Sequence, residues 1–256
     1  GGVTSISAGQ FHTCAVTAAG GVKCWGANSS GSLGDGTTTD RLTPVQVVGL
    51  VGGVTSISAG MFHTCAVTAH GAVMCWGYND SGRLGDGTTT DRSTPVQVVG
   101  LVGGVTSISA GQFHTCAVTA AGGVKCWGAN SSGSLGDGTT TDRLTPVQVV
   151  GLVGGVTSIS AGMFHTCAVT AHGAVMCWGY NDSGRLGDGT TTDRSTPVQV
   201  VGLVGGVTSI SAGQFHTCAV TAAGAVQCWG ANSRGELGDG TTTDRLTPVQ
   251  VVGLVG

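Results

Sequence analysis

The sequence repeats itself every 51 residues, and this periodicity restricts the fold more than any other feature. The segment GGVTSISAG begins at positions 1, 52, 103, 154 and 205 with no insertions between copies. A chain with such a period is built from stacked copies of one supersecondary unit, as in solenoids and propellers. We therefore expect a single domain over residues 1–256, made of the repeats 1–51, 52–102, 103–153, 154–204 and 205–255.

The copies are nearly identical and alternate between two versions. Copies one and three are the same, copies two and four are the same, and copy five differs from copy one at four positions. This A-B-A-B-A′ order indicates recent duplication or deliberate construction. The chain also opens directly in the repeat without Met, which favours an excised or engineered segment.

The composition and the net charge argue against several classes of protein. Glycine supplies 48 of 256 residues and charged residues only 9%, but the strict period and the Val/Ile content argue against a disordered low-complexity chain. A net charge of −3 is too small to attract nucleic acid or an anionic membrane. No apolar run approaches the roughly 18 residues of a membrane span. We expect neither nucleic acid nor membrane as a partner.

Each repeat is predicted to contain four short strands. In the first copy they are Val3–Ser7, Thr13–Thr17, Val22–Trp25 and Pro44–Val48, and the first alternates apolar and polar residues as a strand should. The proline that opens the fourth strand suits an edge position, because it has no N–H to donate. Four strands in about 50 residues is the spacing of propeller blades. The predicted fold is an all-β propeller of five 51-residue, four-stranded blades.

The cysteines follow from the hairpin between the second and third strands. A turn with Gly20 in the left-handed position pairs Val16 with Val22 and Cys14 with Cys24. Residues directly opposite each other lie roughly 4.5–5.5 Å apart, which a disulfide can span. The same pairs recur in the later copies as Cys65/Cys75, Cys116/Cys126, Cys167/Cys177 and Cys218/Cys228.

Two states of these pairs stay open. Disulfides imply an oxidising compartment and hence secretion, whereas buried thiols leave the localisation undetermined. A zinc site that adds His12 is disfavoured, because the spacing matches no familiar zinc motif.

The repeat resembles that of the regulator of chromosome condensation family. The resemblance rests on HTCAVTAAGGVKCWGANSSGSLGDG and covers the whole chain. The matching positions of the first copy are Ala8, Gly9, His12, Ala15, Val16, Thr17, Gly20, Val22, Trp25, Gly26, Asn28, Gly31, Leu33, Gly34 and Pro44. It implies a β-propeller of four-stranded blades.

The chain departs from that family in blade number. The family's usual ring has seven blades and this sequence has five, so we expect either a monomeric closed ring or a homo-oligomer that completes a larger ring. The family's nucleotide-exchange members engage a small GTPase through distinctive surface features, and no inserted wedge is present here. A bacterial β-lactamase inhibitor with similar repeats binds its enzyme through loops on one face. Fold resemblance alone does not carry function over.

Recurring residues of chemical interest each have a structural interpretation. The tryptophans are expected to pack between blades rather than to stack on sugars, and the histidines to bond a neighbouring loop backbone rather than to line the axis as an anion or metal site. The segment around Asp35 is expected to be a turn capped by the carboxylate, with Arg41 near it, rather than a calcium loop. The two sets are Trp25, Trp76, Trp127, Trp178 and Trp229, and His12, His63, His114, His165 and His216.

The copies differ most in the loop after Trp-Gly. This loop reads ANSSGS in A copies, YNDSGR in B copies and ANSRGE in copy five. Tyr and Arg are favoured at binding hot spots, and loops carry function on rigid scaffolds. The alternative is neutral drift before duplication. The candidate binding residues are Tyr78, Asp80, Arg83, Tyr180, Asp182, Arg185, Arg234 and Glu236.

No pattern of residues indicates catalysis. A catalytic site needs different groups converging in one cleft, and equivalent blades bring only like residues together, so we expect no enzyme, no cofactor and no metal. The leading interpretation is a non-catalytic propeller scaffold of amplified or engineered repeats without a dedicated ligand. The alternative is a secreted propeller that binds protein through loops of one face. A multivalent lectin acting by avidity is a weaker alternative.

Overall fold

A computed structural model describes residues 2–254, and these form twenty strands, four in each repeat. No helix occurs among these residues, so none of them lies in a helix that could cross a membrane. The strands are β1 Val3–Ala8, β2 His12–Thr17, β3 Val22–Gly26, β4 Arg41–Gln46, β5 Val54–Ala59, β6 His63–Thr68, β7 Val73–Gly77, β8 Arg92–Gln97, β9 Val105–Ala110, β10 His114–Thr119, β11 Val124–Gly128, β12 Arg143–Gln148, β13 Val156–Ala161, β14 His165–Thr170, β15 Val175–Gly179, β16 Arg194–Gln199, β17 Val207–Ala212, β18 His216–Thr221, β19 Val226–Gly230 and β20 Arg245–Gln250.

Each repeat forms one four-stranded sheet in which spatial order follows chain order. The five sheets are the predicted blades, and the all-β propeller fold is confirmed. In the first blade Cys14 lies opposite Cys24 and Val16 opposite Val22. Gly20 in the connecting turn has a φ of 77°, so the predicted hairpin register is confirmed.

The predicted fourth strand, Pro44–Val48, was placed about three residues too late. The strand runs over Arg41–Gln46, and its first residue pairs with Gly26 across an irregular step in the ladder. At the end of the strand, the side-chain amide of Gln46 donates to the carbonyl oxygens of Val22 (2.9 Å) and Leu50 (2.8 Å). The strand is the outermost of its sheet, so the edge position of the proline is correct.

The chain divides into two compact units. The first comprises residues 1–120, 125–129 and 142–147, and it contains the sheets of repeats one and two together with β9 and β10. The second comprises residues 121–124, 130–141 and 148–256, and it contains the sheets of repeats four and five. A single domain over residues 1–256 stays a prediction.

The apolar core lies between successive blades. Blades one and two share a cluster to which blade one gives seven residues and blade two gives four. Its members are Cys14, Val16, Val22, Cys24, Leu33, Val47 and Leu50 from blade one, and Val54, Ile57, Ala66 and Trp76 from blade two. The equivalent residues form the clusters between blades two and three and between blades four and five. The predicted packing of tryptophan between blades is confirmed there.

A short series of hydrogen bonds lies beside each of these apolar clusters. The Trp76 indole N–H and the Thr64 hydroxyl both donate to the carbonyl oxygen of Ser32 on the preceding blade, each at 2.9 Å. The Nε2 atom of His12 lies 2.7 Å from the same hydroxyl oxygen. A structural role for the histidine is thus confirmed, but its partner is a side chain on a strand of the next blade and not a loop backbone.

All ten cysteines are paired as predicted. The disulfides join Cys14–Cys24, Cys65–Cys75, Cys116–Cys126, Cys167–Cys177 and Cys218–Cys228. Each connects β-strands of one hairpin at a Cα separation of 4.1 Å. Because the hairpin already closes the same short loop, the expected stabilisation per bridge is near the low end of the usual range, about 2 kcal/mol.

Candidate binding surface

A buried asparagine organises the long loop between the third and fourth strands of each blade. The Asn28 side-chain amide donates to the carbonyl oxygens of Thr37 and Thr39, both at 3.1 Å, and its oxygen accepts the N–H of Leu33 at 2.9 Å. Its backbone N–H donates to Asp40 at 2.7 Å. One side chain therefore fixes both ends of the loop and makes it a rigid platform.

The Asp35 carboxylate is engaged within the same loop. It accepts the backbone N–H of Thr37 at 3.0 Å and forms an ion pair with Arg41 at 2.7 Å. Burial opposes ionisation, but the hydrogen bonds from Thr37 and Arg41 outweigh it and lower the pKa of Asp35. The capped turn predicted from the sequence is confirmed.

The B-copy loops hold a tyrosine, an aspartate and an arginine in one compact arrangement. The Tyr78 hydroxyl donates to Asp80 at 3.1 Å, and Arg83 forms an ion pair with the other oxygen of that carboxylate. The second B copy repeats this with Tyr180, where the hydroxyl-to-Asp182 distance is 2.9 Å. The hydrogen bond to Asp80 raises the pKa of Tyr78, so the phenol stays protonated at neutral pH.

The arginine of this group is buried and positions its neighbours. Arg83 is only 1% exposed. Its guanidinium carbon lies 4.8 Å from the ring centre of Tyr78 and 5.4 Å from that of Phe113, a cation–π geometry. It also donates to the carbonyl oxygen of Gln112 on the next blade at 2.9 Å. Arg83 is therefore withdrawn from solvent and holds Tyr78 and Asp80 in place.

Phenylalanines extend this arrangement into a row along the loop face. The rings of Phe11 and Phe62 stack at 5.0 Å, and Phe62 meets Tyr78 edge-on at 6.2 Å. We call Phe11, Phe62, Tyr78 and Phe113 the aromatic row. Phe11 is 46% exposed and the other three are half-buried.

A shallow depression opens beside this row. It has a volume of about 170 Å³ and is lined by Ser29, Ser30, Phe62 and Tyr78. The serines come from an A copy and the aromatic rings from the following B copy. The depression offers aromatic faces and hydroxyl groups side by side, a composition suited to binding a side chain of a partner.

Copy five presents a different loop. Arg234 and Glu236 are both exposed, and the Glu236 carboxylate accepts the Arg234 backbone N–H at 2.8 Å. This hydrogen bond is the first of the causes that lower the pKa of Glu236. Copy five therefore lacks the Tyr/Asp/Arg arrangement of the B copies.

Sequence reasoning named the tyrosines and missed the phenylalanines. Each phenylalanine precedes a recurring histidine in a turn after a strand, where alternation directs it away from the buried histidine. An apolar aromatic residue in that place indicates a ring that is at least partly accessible to solvent. The tryptophans of blades two to five, in contrast, are 0% exposed, which rules them out as sugar-stacking platforms.

The fold defines a class of β-propeller built from four-stranded blades, each with a long loop between its third and fourth strands. A model of the RCC1-like domain family matches residues 1–255, and the chain belongs to this family. The ultraviolet-B receptor UVR8 of Arabidopsis thaliana is 38% identical over 251 residues, covering 96% of this chain and 57% of the receptor. The human E3 ubiquitin-protein ligase HERC2 is 35% identical over 258 residues, covering 98% of this chain and 5% of the ligase.

Solved structures share this fold. Human WBSCR16 superposes with a TM-score of 0.87 at 27% identity, covering 98% of this chain and 67% of that one. Yeast RCC1 (Prp20), solved with Kap60 bound, gives a TM-score of 0.69 at 19% identity over 97% of this chain and 74% of that one. The chain spans only part of the length of these relatives. Their activities and partners are therefore properties of those proteins and are not assigned to this chain.

Proposed function

We propose that this chain is a non-catalytic scaffold that binds proteins through the aromatic row and the adjoining Tyr/Asp loops. The observation that carries the proposal is the pre-organised Tyr78–Asp80–Arg83 arrangement beside half-buried phenylalanine rings that continue to the exposed ring of Phe11. Tyrosine rings supply a large contact area at low entropic cost. Because the buried arginine already fixes the ring and the carboxylate, little further ordering is needed on binding.

The occurrence of the same arrangement in both B copies supports multivalent recognition. Arg185 lies 4.7 Å from the ring centre of Tyr180 and 5.0 Å from that of Phe215. Two equal weak sites on one chain raise the apparent affinity for a repetitive or dimeric partner. The crystallised complex of yeast RCC1 with Kap60 is in line with protein binding by this fold. The five disulfides favour an oxidising compartment, and hence secretion, as the place of action.

Selection from a displayed peptide library tests the proposal. Enriched peptides should bind the wild-type chain and bind the double variant Tyr78→Ala/Tyr180→Ala at least about tenfold more weakly, as expected when hot-spot aromatics are removed. His70→Ala/His172→Ala, which alters exposed hairpin tips of the same two blades, is the matched control. Peptides that bind both variants equally well, or no enrichment at all, would contradict the proposal and favour a scaffold without a dedicated ligand.

A further inference from the structure

The interface between successive blades has two unlike sides. One side comes from the second, third and fourth strands of a blade, the loop before the fourth strand and the turn after it. The other comes from the first strand, one alanine of the second strand and the tryptophan of the next blade. Every blade carries both sides, because every repeat contains both sets of residues. The contact is therefore heterologous, and a blade with an open side remains able to accept another copy of the repeat.

In blade one the side that would meet a preceding blade is open. Val3 is 60% exposed and Ile6 is 65% exposed, whereas their counterparts in the four later blades are at most 8% exposed. Leu42 is 98% exposed, against 38% and 37% for Leu144 and Leu246. Trp25 is half-buried, whereas the other four tryptophans are 0% exposed. We call Val3, Ile6, Trp25 and Leu42 the first-blade face.

In blade five the opposite side is open. Leu254 is 58% exposed, whereas its counterparts in the blades before it are at most 7% exposed. Val220 is 37% exposed, against at most 2% for its counterparts. Cys218 and Val226 are half-buried where the equivalent residues are 0% exposed. We call Cys218, Val220, Val226 and Leu254 the last-blade face.

The polar groups of the two faces also match. In blades two to five the indole N–H of the tryptophan donates to a backbone carbonyl oxygen of the preceding blade at 2.8–2.9 Å. Trp25 carries the equivalent donor, and the carbonyl oxygen of Glu236 occupies the equivalent acceptor position. His216 stands where His12 contacts the threonine hydroxyl of the next blade, and Thr13 provides that hydroxyl. Because the acceptor is a backbone carbonyl oxygen, it is present in copy five even though the side chain there is that of Glu236 and not that of a serine such as Ser32.

We propose that the first-blade face of one copy docks on the last-blade face of a second copy and reproduces the interface between successive blades. The occupant is specified by continuity with contacts that already exist inside the chain. Blade one is identical in sequence to blade three, and blade three already packs on blade two through these residues. The assembly is head-to-tail and does not depend on the loop surface proposed above for other proteins.

Native mass spectrometry and sedimentation velocity of the 256-residue chain test this docking. The wild type should form species larger than the 25.1 kDa chain as concentration rises. Ile6→Glu and Leu254→Glu should each raise the apparent dissociation constant at least about 100-fold, because each buries an unpaired carboxylate. Val102→Glu is the control: its side chain is 73% exposed, and its counterparts in the other described repeats are 73–74% exposed, so assembly should persist.

Mixing the two variants identifies the geometry. Ile6→Glu retains a good last-blade face and Leu254→Glu a good first-blade face, so an equimolar mixture should form a dimer of twice the chain mass and stop there. Two other results would overturn the proposal. The first is assembly of either variant alone to the same extent as the wild type. The second is a wild type that stays monomeric while Trp25 is protected from acrylamide quenching, because the two faces would then meet within one chain.

Discussion

At the scale of single residues, the histidine of each blade links packing to pH. Burial lowers the pKa of His12 and of His114 to about 4. Burial also lowers the pKa of His63 well below its usual value, with a smaller contribution from the charge of Arg83. In the unfolded chain each imidazole titrates near 6.5. Below that pH the unfolded state binds more protons, so the contribution of these histidines to stability is complete above pH 6.5 and is lost as the pH falls toward 4.

Replacing His63 with Gln should reduce this pH dependence. The free energy of unfolding of the wild type should fall between pH 7 and pH 5, and one neutral buried histidine accounts for about 2 kcal/mol of that fall. Urea denaturation at the two pH values measures the difference, which should shrink by that amount in His63→Gln. His70→Gln, in an exposed hairpin tip, should behave like the wild type. An unchanged pH dependence in His63→Gln would show that this histidine does not couple folding to protonation.

At the scale of elements, tight turns set how closely neighbouring blades approach. Gly20, in the hairpin turn of blade one, has a φ of +77°, and a Cβ built there would lie 2.5 Å from the backbone nitrogen of Gly53. Gly49 has nearly the same φ, +76°, but a Cβ there would meet nothing within 4 Å. Alanine at Gly49 therefore introduces backbone strain alone, whereas alanine at Gly20 adds a steric clash with the backbone of blade two.

Alanine at these two glycines should have unequal effects. Gly49→Ala should cost about 1–2 kcal/mol of unfolding free energy, the penalty of the left-handed conformation alone. Gly20→Ala should cost about 2 kcal/mol more, because backbone must shift to make room. Urea denaturation of both variants provides the comparison. Equal losses of stability would mean that the turn of blade one does not constrain the position of blade two.

The elements that the sequence predicts well are those set by local pattern. Cysteine and valine spacing with a left-handed glycine was sufficient for the hairpin of β2 and β3. The start of β4 was missed because Arg41 is held by Asp35 and by pairing with Gly26, which apolar alternation does not reveal. The phenylalanine stack was missed for a related reason: Phe11 and Phe62 are 51 residues apart and meet only when successive blades pack.

At the scale of the whole molecule, the interfaces between successive blades make stability close to a sum of repeat terms. Arg83 illustrates why the alternation of A and B copies is not required for packing. It contacts the next blade through the Gln112 carbonyl oxygen and the Phe113 ring. Both a backbone carbonyl and a phenylalanine are present at these positions in every copy. Removing whole repeats should therefore leave the remaining interfaces intact.

Deletion of residues 103–204 joins copy two directly to copy five and leaves the junction sequence unchanged. Val207, Ile210 and Trp229 then replace Val105, Ile108 and Trp127 on blade two with identical residue types. We expect a folded three-blade protein whose urea m-value is roughly three fifths of the original, because m scales with the surface exposed on unfolding. Deletion of residues 103–153 places two B copies in succession and should give roughly four fifths. Loss of a cooperative transition in both variants would show that stability depends on all five blades together, and loss only in the second would show that A and B copies must alternate.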